Sequence, residues 1–178
     1  MRPPSQYPSE CRLNARSCSG TRAFTLVEIG VVVLIISLVA AIAVPQIKSA
    51  VITARSEAVI NDLRVFSQAF QHYLQDNGDW PSTPSAAGAV PTGMADYLRE
   101  SAWTRKTPIG GYYVWDTNVE QAGQHVRAAI GITSTGDSAV SADRIQLSDI
   151  DRRFDDGNLA TGSFRLGFYN EPVYVIEY

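Results

Sequence analysis

Cysteine is nearly absent from this chain. Of its 178 residues only Cys11 and Cys18 are cysteine, both in the first 23 positions. The body that follows holds none, so it cannot close a disulfide in any compartment. Histidine is as scarce: His72 and His125 stand 53 positions apart, with no His-x-x-His or cysteine partner. That spacing argues against a zinc site and leaves both as surface histidines. No nucleophile elbow, phosphate-binding loop or dinucleotide fingerprint occurs, so the sequence offers no catalytic constellation and the chain is not read as an enzyme. Basic charge is also short once the head is set aside. Arg2, Arg12, Arg16 and Arg22 face Glu10 alone within residues 1–23, which leaves 11 bases against 17 acids beyond. An acidic remainder excludes the clustered cations that displace counterions from a phosphate backbone, and no nucleic-acid partner is expected.

What is abundant is a single apolar run. Phe24 to Val44, FTLVEIGVVVLIISLVAAIAV, spans 21 residues interrupted only by Thr25, Glu28 and Ser37. At about 1.5 Å per residue such a helix covers about 30 Å, the hydrocarbon thickness of a bilayer, so it reads as a transmembrane segment. The arginines before it, against the mixed charges of Lys48, Arg55, Glu57, Asp62 and Arg64 after it, predict a cytoplasmic head and an exported body.

Beyond Pro45 the periodicity changes. Ile47, Val51, Ala54 and Ala58, then Val59, Leu63, Phe66, Phe70 and Tyr73, recur at helical spacing. Lys48, Arg55, Glu57, Asp62, Arg64, Gln68 and Gln71 are assigned to the opposite, polar side. Asp76-Asn77-Gly78 supplies a stop. The two segments predict one helix of about 53 residues, roughly 80 Å long, apolar all round in its first half and amphipathic in its second.

Asp79 to Gly93 reads as a loop rich in proline, serine and glycine, and Met94 to Ser101 as a short helix. Strands are expected at Gly111–Trp115, Val126–Thr133, Phe164–Phe168 and Val173–Tyr178, rich in β-branched and aromatic residues. Asn170-Glu171-Pro172 should turn between the last two. Ser141–Phe154 reads as a further short helix. The expected class is α+β: a lollipop whose long N-terminal helix packs its amphipathic half on a small antiparallel sheet. Three parts follow, a basic leader at 1–23, a transmembrane helix at 24–45 and a globular body at 46–178.

Arg22 to Pro45 resembles the prepilin signal of type IV pilins and type II secretion pseudopilins. A basic leader, a small residue before a phenylalanine, the string FTLVE with its acid four residues on, and Pro45 at the end of the span coincide. The resemblance implies cleavage between Ala23 and Phe24 by prepilin peptidase, N-methylation of Phe24, and an assembly role for Glu28, whose carboxylate meets the new Phe24 ammonium. It implies a kink at Pro45, whose alternative is a first-turn proline opening a second helix. Ala23 departs from the glycine usual before the cut, which puts the efficiency of processing in doubt. The implied protein is a single-pass inner-membrane subunit with a cytoplasmic N-terminus and a periplasmic body. Its partners are membrane lipid before assembly, then other pilin or pseudopilin subunits on an inner-membrane assembly platform. Together these build a pseudopilus that drives protein export.

Two other functions fit the same residues. One is a minor pilin of a type IV pilus, serving adhesion, motility or DNA uptake. The other is a soluble secreted protein beginning at Val44, since Ala41-Ile42-Ala43 resembles an ordinary signal-peptidase site. No metal site or cofactor is assigned. Calcium is the one possibility: Asp149, Asp151, Asp155 and Asp156 gather hard oxygen ligands in DIDRRFDDGN, and major pseudopilins bind calcium in their C-terminal region. The preferred reading of that stretch is a solvated helix end with an Asp-Gly turn. Trp80, Trp103 and Trp115 are assigned to core packing or subunit contacts.

Overall fold

A computed structural model describes residues 24–121 and 123–178. The leader, with Ala23 and both cysteines, lies outside the described residues. The chain divides into two compact units, Met1–Ala43 and Val44–Tyr178. Helix α1 runs from Leu26 to Asn77, 52 residues, and crosses that boundary. Thr25 opens it as a capping residue, its hydroxyl accepting from the Glu28 amide at 3.2 Å. Gly78 ends it: with φ +80° it takes the left-handed conformation that a side chain resists, and its amide donates to the Leu74 carbonyl at 2.8 Å.

The second unit adds α2 (Glu100–Trp103), β1 (Tyr112–Gln121), β2 (Gln124–Thr133), α3 (Arg144–Phe154), β3 (Phe164–Leu166), one 3-10 turn (Phe168–Asn170) and β4 (Pro172–Glu177). The strands form one antiparallel sheet in the order β1-β2-β4-β3. β1 and β2 make a hairpin whose register runs from Tyr112 opposite Thr133 to Gln121 opposite Gln124. β4 inserts between β2 and the three-residue β3.

Two expectations shift. Met94 to Ser101 is a pair of turns rather than a helix, and the helical turn begins only at Glu100. β1 extends through the polar run Asp116 to Gln121, because pairing with β2 holds the run in the ladder regardless of strand preference, Asn118 at φ +53° alone standing out of register.

The core lies between α1 and one face of the sheet. Val59, Leu63, Phe66 and Phe70 sit at successive turns of α1 and are buried with Trp103, Tyr113, Trp115, Ile130 and Ile132. Phe66 meets Trp103 and Tyr113 edge-on at 5.0 and 4.9 Å, and Phe70 stacks on Trp115 at 3.7 Å. Burial starts later than the apolar pattern suggests, since Ile47 and Val51 stay exposed and the first buried position is Ser56. Asp62, expected on the polar face, is buried. It accepts from the Tyr113 hydroxyl at 3.0 Å and from Arg105 at 2.6 Å, which stabilises a carboxylate against the core edge.

The Asp79 to Gly93 loop is fixed by the indoles packed beneath it. Trp115 donates to the Pro81 carbonyl at 2.7 Å and Trp103 to that of Ala89 at 2.9 Å. α3 is tied to α1 by the Arg153–Glu57 ion pair and by Gln146 donating to Ser56.

Phe70→Ala should lower the stability of the protein in detergent by about 3–5 kcal/mol, the cost of a phenylalanine-sized cavity in a packed core. Val65→Ala, on the exposed side of the same helix, is the control and should change it far less. Urea unfolding followed by tryptophan fluorescence makes the comparison.

Candidate functional site

Two regions carry chemistry that the core does not use. The first is the start of α1. From Phe24 to Val44 every large apolar side chain is exposed, Leu26 to 89% and Leu34 to 70%. Glu28 is the only ionisable side chain between Phe24 and Ile47. It stands three residues after Thr25, the spacing of a capping box, so the string TLVE starts a helix as well as holding an acid. Ser37, the other polar interruption, returns its hydroxyl to the Val33 carbonyl at 2.7 Å and presents no unmet donor. Pro45 lies inside α1, with helical residues on both sides. It is therefore no first-turn proline opening a second helix, and it leaves the Ala41 carbonyl without its usual amide donor. Ala23, the residue before the expected cut, lies outside the described residues.

The second region follows α3, where the expected solvated helix end with an Asp-Gly turn is seen at Asp155, Asp156 and Gly157 (φ +81°) but needs correcting at Asp151. Asp143 caps α3 by accepting from the Gln146 amide at 2.8 Å. Leu147, Ile150 and Asp151 then fall at i, i+3 and i+4, one face of the helix, and all three are buried. Asp151 is 0% exposed and, among the described residues, neither of its side-chain oxygens has a hydrogen-bond partner, so it is no solvated helix-end residue. Asp149 points away, paired with Arg152 and Arg153, which hold its carboxyl below the usual range.

Asp151 instead joins the loop acids: one oxygen from each of Asp151, Asp155 and Asp156 lies within 4.8 Å of the others. The loop holds its two acids in place. Asp155 accepts from the Ser163 and Phe164 amides, and Asp156 from the Asn158 amide and the Thr161 hydroxyl. Gly162, at φ +75°, is required there, since a Cβ would collide with Asp155 Oδ2. Burial, helped by the charges of Asp156 and Asp155, pushes the Asp151 carboxyl up to about 6. The spacing of Leu147, Ile150 and Asp151 is the signal in the sequence that the acid faces inward.

The chain reproduces a known fold over most of its length. The structure of the major type IV pilin PilA1 from Clostridium difficile matches with a TM-score of 0.51 at 20% identity, covering 71% of this chain and 96% of that one. A pilin fold with an exposed apolar helix start defines a type IV pilin-like protein.

Sequence similarity narrows the class. The type II secretion system core protein G of Klebsiella michiganensis is 30% identical over 127 residues, 67% of this chain and 85% of that protein. Its namesake in Pseudomonas aeruginosa is 38% identical over 91 residues, 48% of this chain and 64% of that protein. The chain thus spans just under two thirds of the Pseudomonas relative. It belongs to the type II secretion core protein G family. Fimbrial protein EcpC of Eikenella corrodens is 32% identical over 77 residues, 43% of this chain and half of that protein. No protein-family model matches the chain.

The Asp151 carboxyl has a pH signature. Its folded value of about 6 exceeds the ordinary 3.8, so between those values the folded state keeps a proton that the unfolded chain has lost. Its contribution to stability is therefore present at low pH and declines as pH rises from about 4 to about 6. Thermal melts of chelator-treated protein across that window should show the decline, and Asp151→Asn should flatten it relative to the parent.

Proposed function

We propose that the chain is a structural, non-catalytic subunit of a type II secretion pseudopilus. In this reading prepilin peptidase cuts between Ala23 and Phe24, and the new Phe24 amine is methylated. The protein waits in the inner membrane, its N-terminus cytoplasmic and its body periplasmic, until an assembly platform feeds it into the filament whose growth drives protein export. The observation that carries the reading is the exposed apolar start of α1 with one acid in it. A carboxylate costs about 2.5–3.5 kcal/mol at the centre of a span on insertion scales, and less toward its end, where Glu28 lies. The Phe24 ammonium of the same or a neighbouring subunit offsets that cost, and the pairing fixes axial register as helices stack. Pro45 removes one helix hydrogen bond just past the span, which lets the rod bend or extend there on assembly.

Intact-mass and N-terminal analysis of membrane-extracted protein tests the reading. The expected product begins at Phe24 and is one methyl group heavier than the bare sequence. A soluble product beginning at Val44 would overturn it. The minor-pilin alternative draws on the likeness to a fimbrial protein, and surface fibres containing this chain would favour it.

The loop acids support a further element of function, a calcium ion held by Asp151, Asp155 and Asp156. The donor set is hard oxygen, which suits calcium. Its centre is a buried carboxylate whose oxygens lack a hydrogen-bond partner, a charge that a cation would compensate. The ion would lock the end of α3 to the loop before β3. Calcium added to chelated protein at pH 7 should raise the melting temperature and release the proton-linked penalty on Asp151. Absence of both heat and melting shift in a calcium titration would remove the ion from the proposal.

A further inference from the structure

A second buried charge lies on the other side of the same loop. Arg165, in β3, is 4% exposed, and as a guanidinium it stays protonated. Its Nη1 donates to Gln124 Oε1 at 2.7 Å. Among the described residues its Nε and Nη2 have no acceptor. Those two nitrogens form the side-on edge of the guanidinium, where two parallel N–H bonds make the fork that a carboxylate accepts with both oxygens.

Arg165 lines a surface cleft of about 540 Å³ with Gln124, His125, Ala160, Thr161, Gly162 and Tyr178. None of those side chains is acidic, so the cleft offers the charge no side-chain counterion of its own. The Tyr178 ring lies over the guanidinium, 5.1 Å from its carbon, and its hydroxyl is tied to the Gly162 carbonyl at 2.8 Å. A ring held by one hydrogen bond at the mouth of a cleft is a cover that one exchange can release.

We propose that this cleft is a carboxylate-binding site, with the Nε and Nη2 edge of Arg165 as its anchor and Tyr178 as its cover. The geometry selects a planar two-oxygen anion over a spherical one such as chloride, because only the former fills both prongs of the fork. The site shares Thr161 and Gly162 with the loop that holds the acids, but its anchor, Arg165, is a separate group and the apolar helix takes no part in it. It stands whether or not the processing at Phe24 occurs.

Acetate is the probe, titrated into the detergent-solubilised full-length protein with chloride at matched ionic strength as the reference. Saturable binding is expected, with the Arg165 Nε–H resonance shifting in step. Arg165→Lys keeps the charge but not the fork. It should weaken acetate at least about tenfold, the loss of one hydrogen bond to a charged group. Sedimentation of the same samples separates two sources of the natural carboxylate. If a neighbouring copy supplies it, acetate dissociates self-associated protein. If a free small carboxylate supplies it, self-association is unchanged. Three results would each overturn the site: equal response to acetate and chloride, an unmoved Arg165 signal, or folded Arg165→Lys protein, verified by its melt, that binds acetate as well as the parent.

Discussion

The constraint on which this molecule depends is an apolar helix start that the described residues leave uncovered. Fourteen large apolar side chains lie exposed between Phe24 and Val44. At about 1.5–3 kcal/mol each for full burial, their transfer from water is worth on the order of 20 kcal/mol or more. A folded domain holds only about 5–15 kcal/mol of net stability. No rearrangement of the body could offset such an exposure, so the segment must lie in lipid or against other helices. On the proposed function the two environments are successive stages of one subunit's life.

The same helix changes partner along its length, and the change explains why the body is small. Beyond Ser56 it offers a narrow stripe, Val59, Leu63, Phe66 and Phe70, to a sheet of four strands. A stripe that narrow is satisfied by few residues, and large aromatics supply most of the contact area: Trp103, Tyr113 and Trp115 meet the two phenylalanines directly. The indole N–H groups then have to find acceptors, and those acceptors are carbonyls of the Asp79 to Gly93 loop. Core packing thereby orders a long loop that contains no regular structure, without a disulfide.

Much of this is legible in the residues. A long apolar run followed by a 3.6-residue period gives the helix, and β-branched and aromatic clusters give the four strands, because burial enforces both patterns. The helix-start signal at Glu28 is legible because an isolated acid in an apolar stretch is rare. What fails is the assignment of charged residues to solvent. Asp62 and Asp151 read as surface acids because charge usually lies at the surface, yet each sits on the apolar face of its helix. Asp62 is matched by Arg105 and Tyr113, which lie 43 and 51 positions away in sequence. Such partners come from the tertiary fold, which no local pattern displays. Asp151 is within reach of pattern analysis, since Leu147 and Ile150 define the face that it shares.

The buried charges also differ in what they leave open. Asp62 is satisfied inside the chain, and it consolidates the core. Asp151 and Arg165 are not: each is nearly inaccessible, and each retains side-chain atoms with no hydrogen-bond partner among the described residues. A monomer optimised only for its own stability would replace such groups by apolar side chains of similar size, since isolated buried charges destabilise a fold. Their presence on either side of one loop, from Asp155 to Ser163, is what supports the proposal that this loop is completed from outside. On the proposed readings a cation meets the first charge and a carboxylate the second, as a neighbour's ammonium meets Glu28. Incompleteness of the single chain, in its apolar helix and in its charges alike, is the physical form that a building block takes.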